Sequence, residues 1–351
     1  MKLTSVLNLK EELKSEVTTG ANPVPRVFAS VRGAIAPTSD FAIMVDETHT
    51  RRPASVSVAL GVAAGRSRND YRLGARVQLT GRAAIRVAEH LVVAAHGEAD
   101  VRIVPVVRKR APTPAWFRRR RRPLEAGVSV GHFRITAGTL GFVVEDQHSF
   151  YMLSNNHVLA DVNSGEPGDP CLQPGPLDLR ARRKPEPKTV IGVLDRFVPI
   201  SFQRANVVDC AVAEILPDIE FFPGWTEALP GIVKGVKEVT FDDLRRPVSK
   251  AGRTTGVRHG VISQVNVDRL RVDMGDETPR IALFSDQVEI EGTDQPFSDG
   301  GDSGSLIVDT AGYARALLFA GGPEAHTGRD LTYANQLHIV LQKLGVQLVL
   351  T

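Results

Sequence analysis

The order of apolar and polar positions divides the chain into three stretches. At the amino end, "MKLTSVLNLKEELKSEV" breaks its apolar positions with Lys10, Glu11, Glu12 and Lys14. That spacing predicts an amphipathic helix capped near Ser5. "NPVPRVFASVRGAIAPTSD" follows, rich in turn formers and fitting no element. "ASVSVALGVAA" and "DYRLGARVQL" then read as strands. "GRAAIRVAEHLVVAAHGEA" reads as a helix with Ile85, Ala88, Leu91, Val92 and Ala95 on one face, and "DVRIVPVV" as another strand. The sum is a small β-β-α-β unit over residues 1–107.

From residue 123 to 351 the pattern changes to short β segments parted by Gly, Pro and Asp. They include "GTLGFVVED", "SFYMLSNN", "KTVIGVLDRFVPI", "VDCAVAEIL", "HGVISQVNV", "LRVDMG", "DQVEIEG" and "SLIVDTAGYARALLFAGG", with one helix, "NQLHIVLQKLG", near the end. Strands at such spacing predict an all-β barrel or sandwich. Between the two regions lies "RKRAPTPAWFRRRRR", residues 108–122. Its prolines block pairing and its like charges repel, which predicts an extended, exposed linker.

Composition refines this picture. With 351 residues, 42% hydrophobic and 24% charged, the chain reads as an ordinary globular protein of two domains. The low aromatic content of 6%, against 31 glycines and 22 prolines, favours strands and tight turns over long helices. The net charge of +3 is misleading, because residues 102–122 carry nine cations and no acid, so the remainder is mildly acidic. Two cysteines, Cys171 and Cys210, allow one disulfide, far fewer than a cross-linked secreted scaffold holds. The amino end lacks the unbroken apolar core of a signal peptide, and no run is long enough to cross a bilayer. The expectation is a reducing, cytoplasmic setting without membrane contact. Neither cysteine has a partner at metal-ligand spacing, so no metal and no cofactor are expected.

The chemistry gathers at three positions. "FSDGGDSGSLIVD" places Ser303 between glycines, where a substrate carbonyl has room to approach the backbone. "MLSNNHVLA" sets His157 at the end of a β segment, and "NVVDCAVAEIL" sets Asp209 among Val, Cys and Ala, where a carboxylate is costly unless hydrogen-bonded. Each alone has a plainer reading: a turn serine, a core histidine, a turn-capping aspartate. Together they run in the order His, Asp, Ser, 52 and 94 residues apart, on an all-β segment. A serine needs a base to take its proton and an acid to hold that base, and this order supplies both.

"LSNNHVLA", "VVDCAVAEI", "KAGRTTGVRHGVI" and "SDGGDSGSLIV" resemble, in order, the four signature segments of the chymotrypsin/trypsin-like serine peptidase superfamily. "RPLEAGVSVGH", "TAGTLGFVV" and "LSNNHVLA" further resemble the cytoplasmic or nuclear trypsin-like proteins related to the plant NARROW LEAF 1 protein. The match spans residues 123–351. It implies a mainly β fold, a chymotrypsin-like double six-stranded antiparallel β-barrel with a carboxy-terminal helix, preceded here by the small α/β domain. It implies Ser303 as nucleophile, His157 as general base and then acid, and Asp209 as orienting carboxylate. The N–H groups of Gly301 and Ser303 would form the oxyanion hole.

The resemblance also places Phe297, six residues before the nucleophile, at the base of the specificity pocket, with Phe319, Ala320 and Gly321 as its wall. That implies a preference for small or apolar side chains, although Asp299 is close enough to shift the alignment. Asp302 precedes the nucleophile. In secreted relatives such an aspartate pairs with a new amino terminus, but cleavage after Arg122 would expose Pro123, whose secondary amine matches that role poorly. Internal hydrogen bonds to Asp302 are expected instead.

The function implied is a serine endopeptidase acting on a restricted intracellular protein. The alternative is a catalytically silent, protease-like scaffold that binds proteins, or binds nucleic acid through Arg118–Arg122 with Trp116 and Phe117 beside them. The amino-terminal domain would serve regulation or folding, or recruit an activating partner, or mediate self-association through unpaired strand edges.

Overall fold

The computed structural model describes residues 1–18, 57–64, 70–78, 81–103, 116–179, 187–224, 229, 233–275, 278–323 and 330–350. The turn-rich stretch over residues 22–40 and residues 108–115 of the linker lie outside them. The chain divides into two compact units, residues 1–108 and 109–350.

In the first unit, the helix Leu3–Thr18 precedes an antiparallel pair, β1 (Ser57–Ala64) and β2 (Tyr71–Gln78). The helix Gly81–Ala94 then carries the chain to β3 (Ala99–Ile103), parallel to β2. A parallel neighbour needs such a crossover, which is why a helix separates these two strands. Leu73, Ala75 and Val77 alternate onto the buried face of β2. Against them pack Ala84, Val87, Ala88, Leu91 and Ala95, a stripe at helical spacing. The expected stripe is thus turned slightly: Val87 is in the core and Val92 is exposed.

The second unit begins with a correction. Residues 116–122 are not an exposed linker. Phe117 is buried in the core, because an aromatic ring gains more from burial than the neighbouring charges lose by crowding. Arg121 stacks over Trp116, 4.1 Å from the ring centre, and pairs with Glu125 at 2.8 Å. The Arg121 N–H and Arg122 Nη1 donate to Gln173 Oε1 at 2.9 and 2.6 Å. Only Arg118, Arg119 and Arg120 of the run face solvent.

The first half of this unit holds β4 (Ser129–His132), β5 (Gly138–Thr139), β6 (Phe142–Glu145), β7 (Phe150–Ser154), β8 (Pro170–Leu172), β9 (Val190–Phe197) and β10 (Ala211–Ile215). Along the sheet their order is β6-β7-β10-β9-β8-β4-β5. The two ends of that order are one kinked stretch of chain, since β5 runs into β6 through Leu140 and Gly141. Leu140 donates to Val128 O on one side and Gly141 to Leu153 O on the other, at 2.8 and 2.9 Å. The sheet therefore meets itself as a six-membered ring.

The second half is a closed barrel of β11 (Pro247–Gly252), β12 (Gly256–Val267), β15 (Gln287–Gly292), β18 (Asp330–Gln336), β17 (Ala314–Pro323) and β16 (Leu306–Asp309). Between β12 and β15 the chain leaves the barrel as a hairpin, β13 (Leu270–Asp273) and β14 (Ile281–Phe284). The carboxy-terminal strand β19 (Gln347–Leu348) adds to β6. A mainly β, double six-stranded arrangement with a carboxy-terminal helix is what the sequence led us to expect.

Phe142, Leu153 and Val212 of the first ring and Leu306, Val308 and Leu317 of the second share one apolar cluster. The helix Leu337–Leu344 closes it with Leu337, Val340, Leu341 and Leu344, an i, i+3, i+4, i+7 stripe, and stops at Gly345 with φ +66°. Cys171 and Cys210 are both free and buried, so no disulfide joins them, and burial pushes both thiols up in pKa. No helix among the described residues is long and apolar enough to cross a membrane.

Candidate active site

His157 lies on the one-turn helix Asn156–Leu159, directly after β7, and Asp209 lies just before β10. Because β7 and β10 are paired neighbours, the two side chains leave the sheet side by side. Asp209 is fully buried and receives a set of donors. The N–H groups of Asn156 and His157 reach its Oδ1 at 2.7 and 3.3 Å, and His157 Nδ1 lies 2.5 Å from Oδ2. A carboxylate only accepts, so the proton of the neutral imidazole sits on Nδ1 and Nε2 carries the free lone pair.

The backbone of Asp209 is held by residues with no distinguishing local signal in the chain. Its N–H donates to Asn335 Oδ1 at 2.9 Å, Asn335 Nδ2 donates to Gln287 Oε1 at 2.6 Å, and Asn155 Nδ2 donates to Asp209 O at 2.8 Å. Asn335 and Gln287 belong to the second ring, so this chain of amides ties the carboxylate to the half of the unit that carries Ser303.

Ser303 stands on the loop before β16 and shares a cavity of about 510 Å³ with His157. Its hydroxyl points at Phe319 O, 3.4 Å away. The loop is shaped by glycines with left-handed backbone at Gly301 (φ +95°) and Gly304 (φ +94°). A Cβ on Gly304 would lie 2.1 Å from Ser154 Oγ and 2.2 Å from Thr139 O, so only glycine fits there. Among the described residues, the N–H groups of Gly301 and Ser303 have no hydrogen-bond acceptor, whereas that of Asp302 is turned back to Asp299 O at 3.0 Å. Two backbone donors on alternate residues are thus left free beside the Ser303 hydroxyl.

Thr139 welds this loop to the first ring. Its N–H donates to Ser303 O at 2.8 Å and its hydroxyl to Gly301 O at 2.9 Å. Beneath the loop, Asp302 is fully buried. It accepts from the N–H groups of Thr254 (2.8 Å), Thr255 (3.1 Å) and Asp299 (3.1 Å) and from the Thr255 hydroxyl (2.7 Å). The expected internal hydrogen bonds are present. So is a cation that sequence reading missed: Lys250 of β11, also fully buried, with Nζ 2.8 Å from Asp302 Oδ2. A lysine in the middle of the short strand PVSKAG was the available signal. Burial lowers the Lys250 pKa, and the Asp302 carboxylate opposes that shift.

Phe297 is not where the resemblance implied. Its side chain is wholly buried inside the second ring with Val239, Val248, Ile262, Val288 and Ile290. A full aromatic ring is worth more in that core than at a pocket wall. Phe319, Ala320 and Gly321 do line the cavity, and so do Ser298 and Asp330. Among the described residues, no three His, Cys, Asp or Glu side chains are grouped to hold a metal ion.

No protein-family model matches the chain. No curated protein matches it. Solved structures do. Thermobifida fusca Protease A is 19% identical, with a TM-score of 0.44, over 65% of this chain and 98% of its own. The chymotrypsin of Cellulomonas bogoriensis is 16% identical, with a TM-score of 0.44, over 65% of this chain and 98% of its own. An alpha-lytic protease homolog, N4, is 20% identical, with a TM-score of 0.44, over 64% of this chain and 98% of its own. With two six-stranded rings, the histidine and aspartate on one and the serine on the other, the chain is similar in fold to the chymotrypsin/trypsin-like serine proteases.

Proposed function

We propose that the protein is a serine endopeptidase that hydrolyses peptide bonds through Ser303, His157 and Asp209. The supporting observation is one conjunction: an imidazole held by a buried carboxylate faces the same cavity as a hydroxyl flanked by two free backbone donors. In this reading Ser303 Oγ bonds to the substrate carbonyl carbon while its proton passes to His157 Nε2. The N–H groups of Gly301 and Ser303 receive the oxyanion. The C–N bond breaks as His157 returns the proton to the leaving amine, and water repeats the sequence on the acyl-enzyme, releasing the acid and restoring Ser303.

The substrate would be a restricted protein target. A cytoplasmic setting agrees with the two unpaired buried thiols. The competing reading is a silent scaffold that binds proteins or nucleic acid through the arginine run; its nucleic-acid form is weakened because Phe117 is buried and Arg121 lies over one face of Trp116, leaving less aromatic surface for bases to stack on.

A fluorophosphonate probe tests the proposal. Labelling of the protein as it stands, lost in Ser303→Ala and greatly slowed in Asp209→Asn, is the expected result; Asp209→Asn should lower turnover about 10⁴-fold by presenting the wrong tautomer. No labelling under conditions that label trypsin would leave the scaffold.

A further inference from the structure

The cavity holding Ser303 is lined by four carboxylates, Asp161, Asp273, Asp299 and Asp330, and by no lysine or arginine among the described residues. They are not equivalent. Asp161 faces Arg134 at 3.5 Å, and Asp273 is capped by the N–H groups of Gly275 and Arg280 at 3.0 and 2.8 Å. Asp299 is exposed, with its Oδ1 receiving the Gly300 N–H at 2.7 Å. Asp330 is half-buried and has no paired cation among the described residues. Its Oδ2 accepts from the Ser298 N–H and the Thr332 hydroxyl, both at a long 3.3 Å. Burial raises its pKa, and the Asp299 charge pushes the same way. The buried Lys250 ammonium feels the Asp330 charge but is ion-paired with Asp302. A partly desolvated carboxylate beside a second carboxylate, with no ion-paired cation of its own among the described residues, is relieved when a cation arrives.

Strand β17 leads from the nucleophile toward that carboxylate. Ser303 Oγ contacts Phe319 O on β17, and the strand continues through Ala320, Gly321 and Gly322 to Pro323, which pairs with Asp330 on β18. At about 3.3 Å per residue, Gly322 lies about 10 Å along the strand from Phe319. The two glycines leave this wall bare, and a Cβ at Gly322 would meet nothing within 4 Å. The Asp330 carboxylate is turned back toward Thr332, which pairs with Gly321 on this bare wall, so it lies farther along the cavity from Ser303 than Phe319 does.

We propose that Asp330, with Asp299 beside it, selects a lysine or arginine side chain on the acyl side of the bond cleaved, so that the substrates are basic peptide segments. This rests on the serine peptidase reading above. It replaces the small or apolar preference that Phe297 implied, because Phe297 is turned into the barrel core while Asp330 of β18 lines the cavity. Asp330 acts here as a specificity residue, outside the bond-breaking chemistry.

Matched peptides differing only at that position (arginine, lysine, citrulline, leucine, alanine and glutamate) test the assignment. The arginine peptide should exceed its neutral isostere citrulline in kcat/KM by on the order of 10²-fold, the loss typical of removing one partner of a desolvated charge pair. The arginine-to-citrulline ratio, and not the absolute rate, is the readout: it should fall to near one in Asp330→Asn and survive in Asp330→Glu. Equal cleavage of arginine and citrulline peptides, or a ratio unchanged in Asp330→Asn, overturns the assignment while probe labelling of Ser303 leaves the peptidase reading intact. If neither cleavage nor labelling occurs, the peptidase reading fails by itself, and calorimetric titration of the same protein with arginine and citrulline peptides decides the charge selection. Tighter binding of the arginine peptide then supports it, and equal or absent binding overturns it.

Discussion

Lys250 is the residue on which the loop around Ser303 depends. Both it and Asp302 are buried away from solvent, so each charge is stabilised chiefly by the other, with the Thr254, Thr255 and Asp299 donors around Asp302. Removing one partner of such a pair leaves a bare buried charge, at a typical cost of about 3–5 kcal/mol. Lys250→Met should therefore lower the denaturation midpoint and, in protein still folded at low temperature, slow fluorophosphonate labelling as the Gly301 and Ser303 donors lose their support. A variant that labels at the normal rate would show that the hydrogen bonds from Thr254 and Thr255 suffice. Asp330 carries a pH-dependent expectation at the same scale. Its folded pKa is raised, so on acidification it gains its proton at a higher pH than an ordinary aspartate does. The arginine-to-citrulline ratio in kcat/KM, which reports the free enzyme, should decay at that point, and the decay should vanish in Asp330→Asn.

At the level of elements, the hairpin β13–β14 is the part that fits least into a bare pair of barrels. Phe284 is fully buried against Phe319, ring centres 4.6 Å apart, in a cluster with Ile200 and Ala282. On the same hairpin Val272 faces the cavity, as does Met274 just beyond β13. Phe284→Ala should cost about 3–5 kcal/mol, the usual range for emptying an aromatic site. Because Phe319 begins the bare wall leading to Asp330, the same change should raise KM more than it lowers kcat, which steady-state kinetics would resolve. Elements of this kind also mark what sequence reading reaches. The long alternating strands and the carboxy-terminal helix were legible because their apolar period is sustained. Strands β4, β8, β14 and β18 were not, since three or four residues, or a run broken by Asp and Thr, give no period to count. His157, Asp209 and Ser303 stood out because each breaks its local pattern. Asn335, Gln287 and Asp330 stayed hidden because their meaning comes from contacts across the barrel, and Phe297 misled because an offset counted from the nucleophile says nothing about which way a side chain turns.

For the whole molecule, the question is what residues 1–108 contribute. The second unit has its own two rings and its own apolar cluster, with Phe117 at its amino end already inside that cluster. A chain beginning at Lys109 should therefore fold and label with the fluorophosphonate probe at the rate of the full chain, as monitored by circular dichroism and labelling together. A soluble truncated chain that labels only after co-expression with residues 1–108 would instead assign that unit to folding. Full labelling with an altered peptide profile would assign it to substrate delivery.

The buried ammonium of Lys250 has one more consequence. Where a carboxylate at this place waits for a newly cut chain end, the molecule leaves the ribosome dormant and is switched on by an outside hand. Here the counter-charge is encoded in the same polypeptide and arrives with folding, so Asp302 has a cationic partner without any newly cut chain end. If the proposed peptidase activity holds, its restraint would fall to the amount of protein made and to what is allowed to enter the cleft.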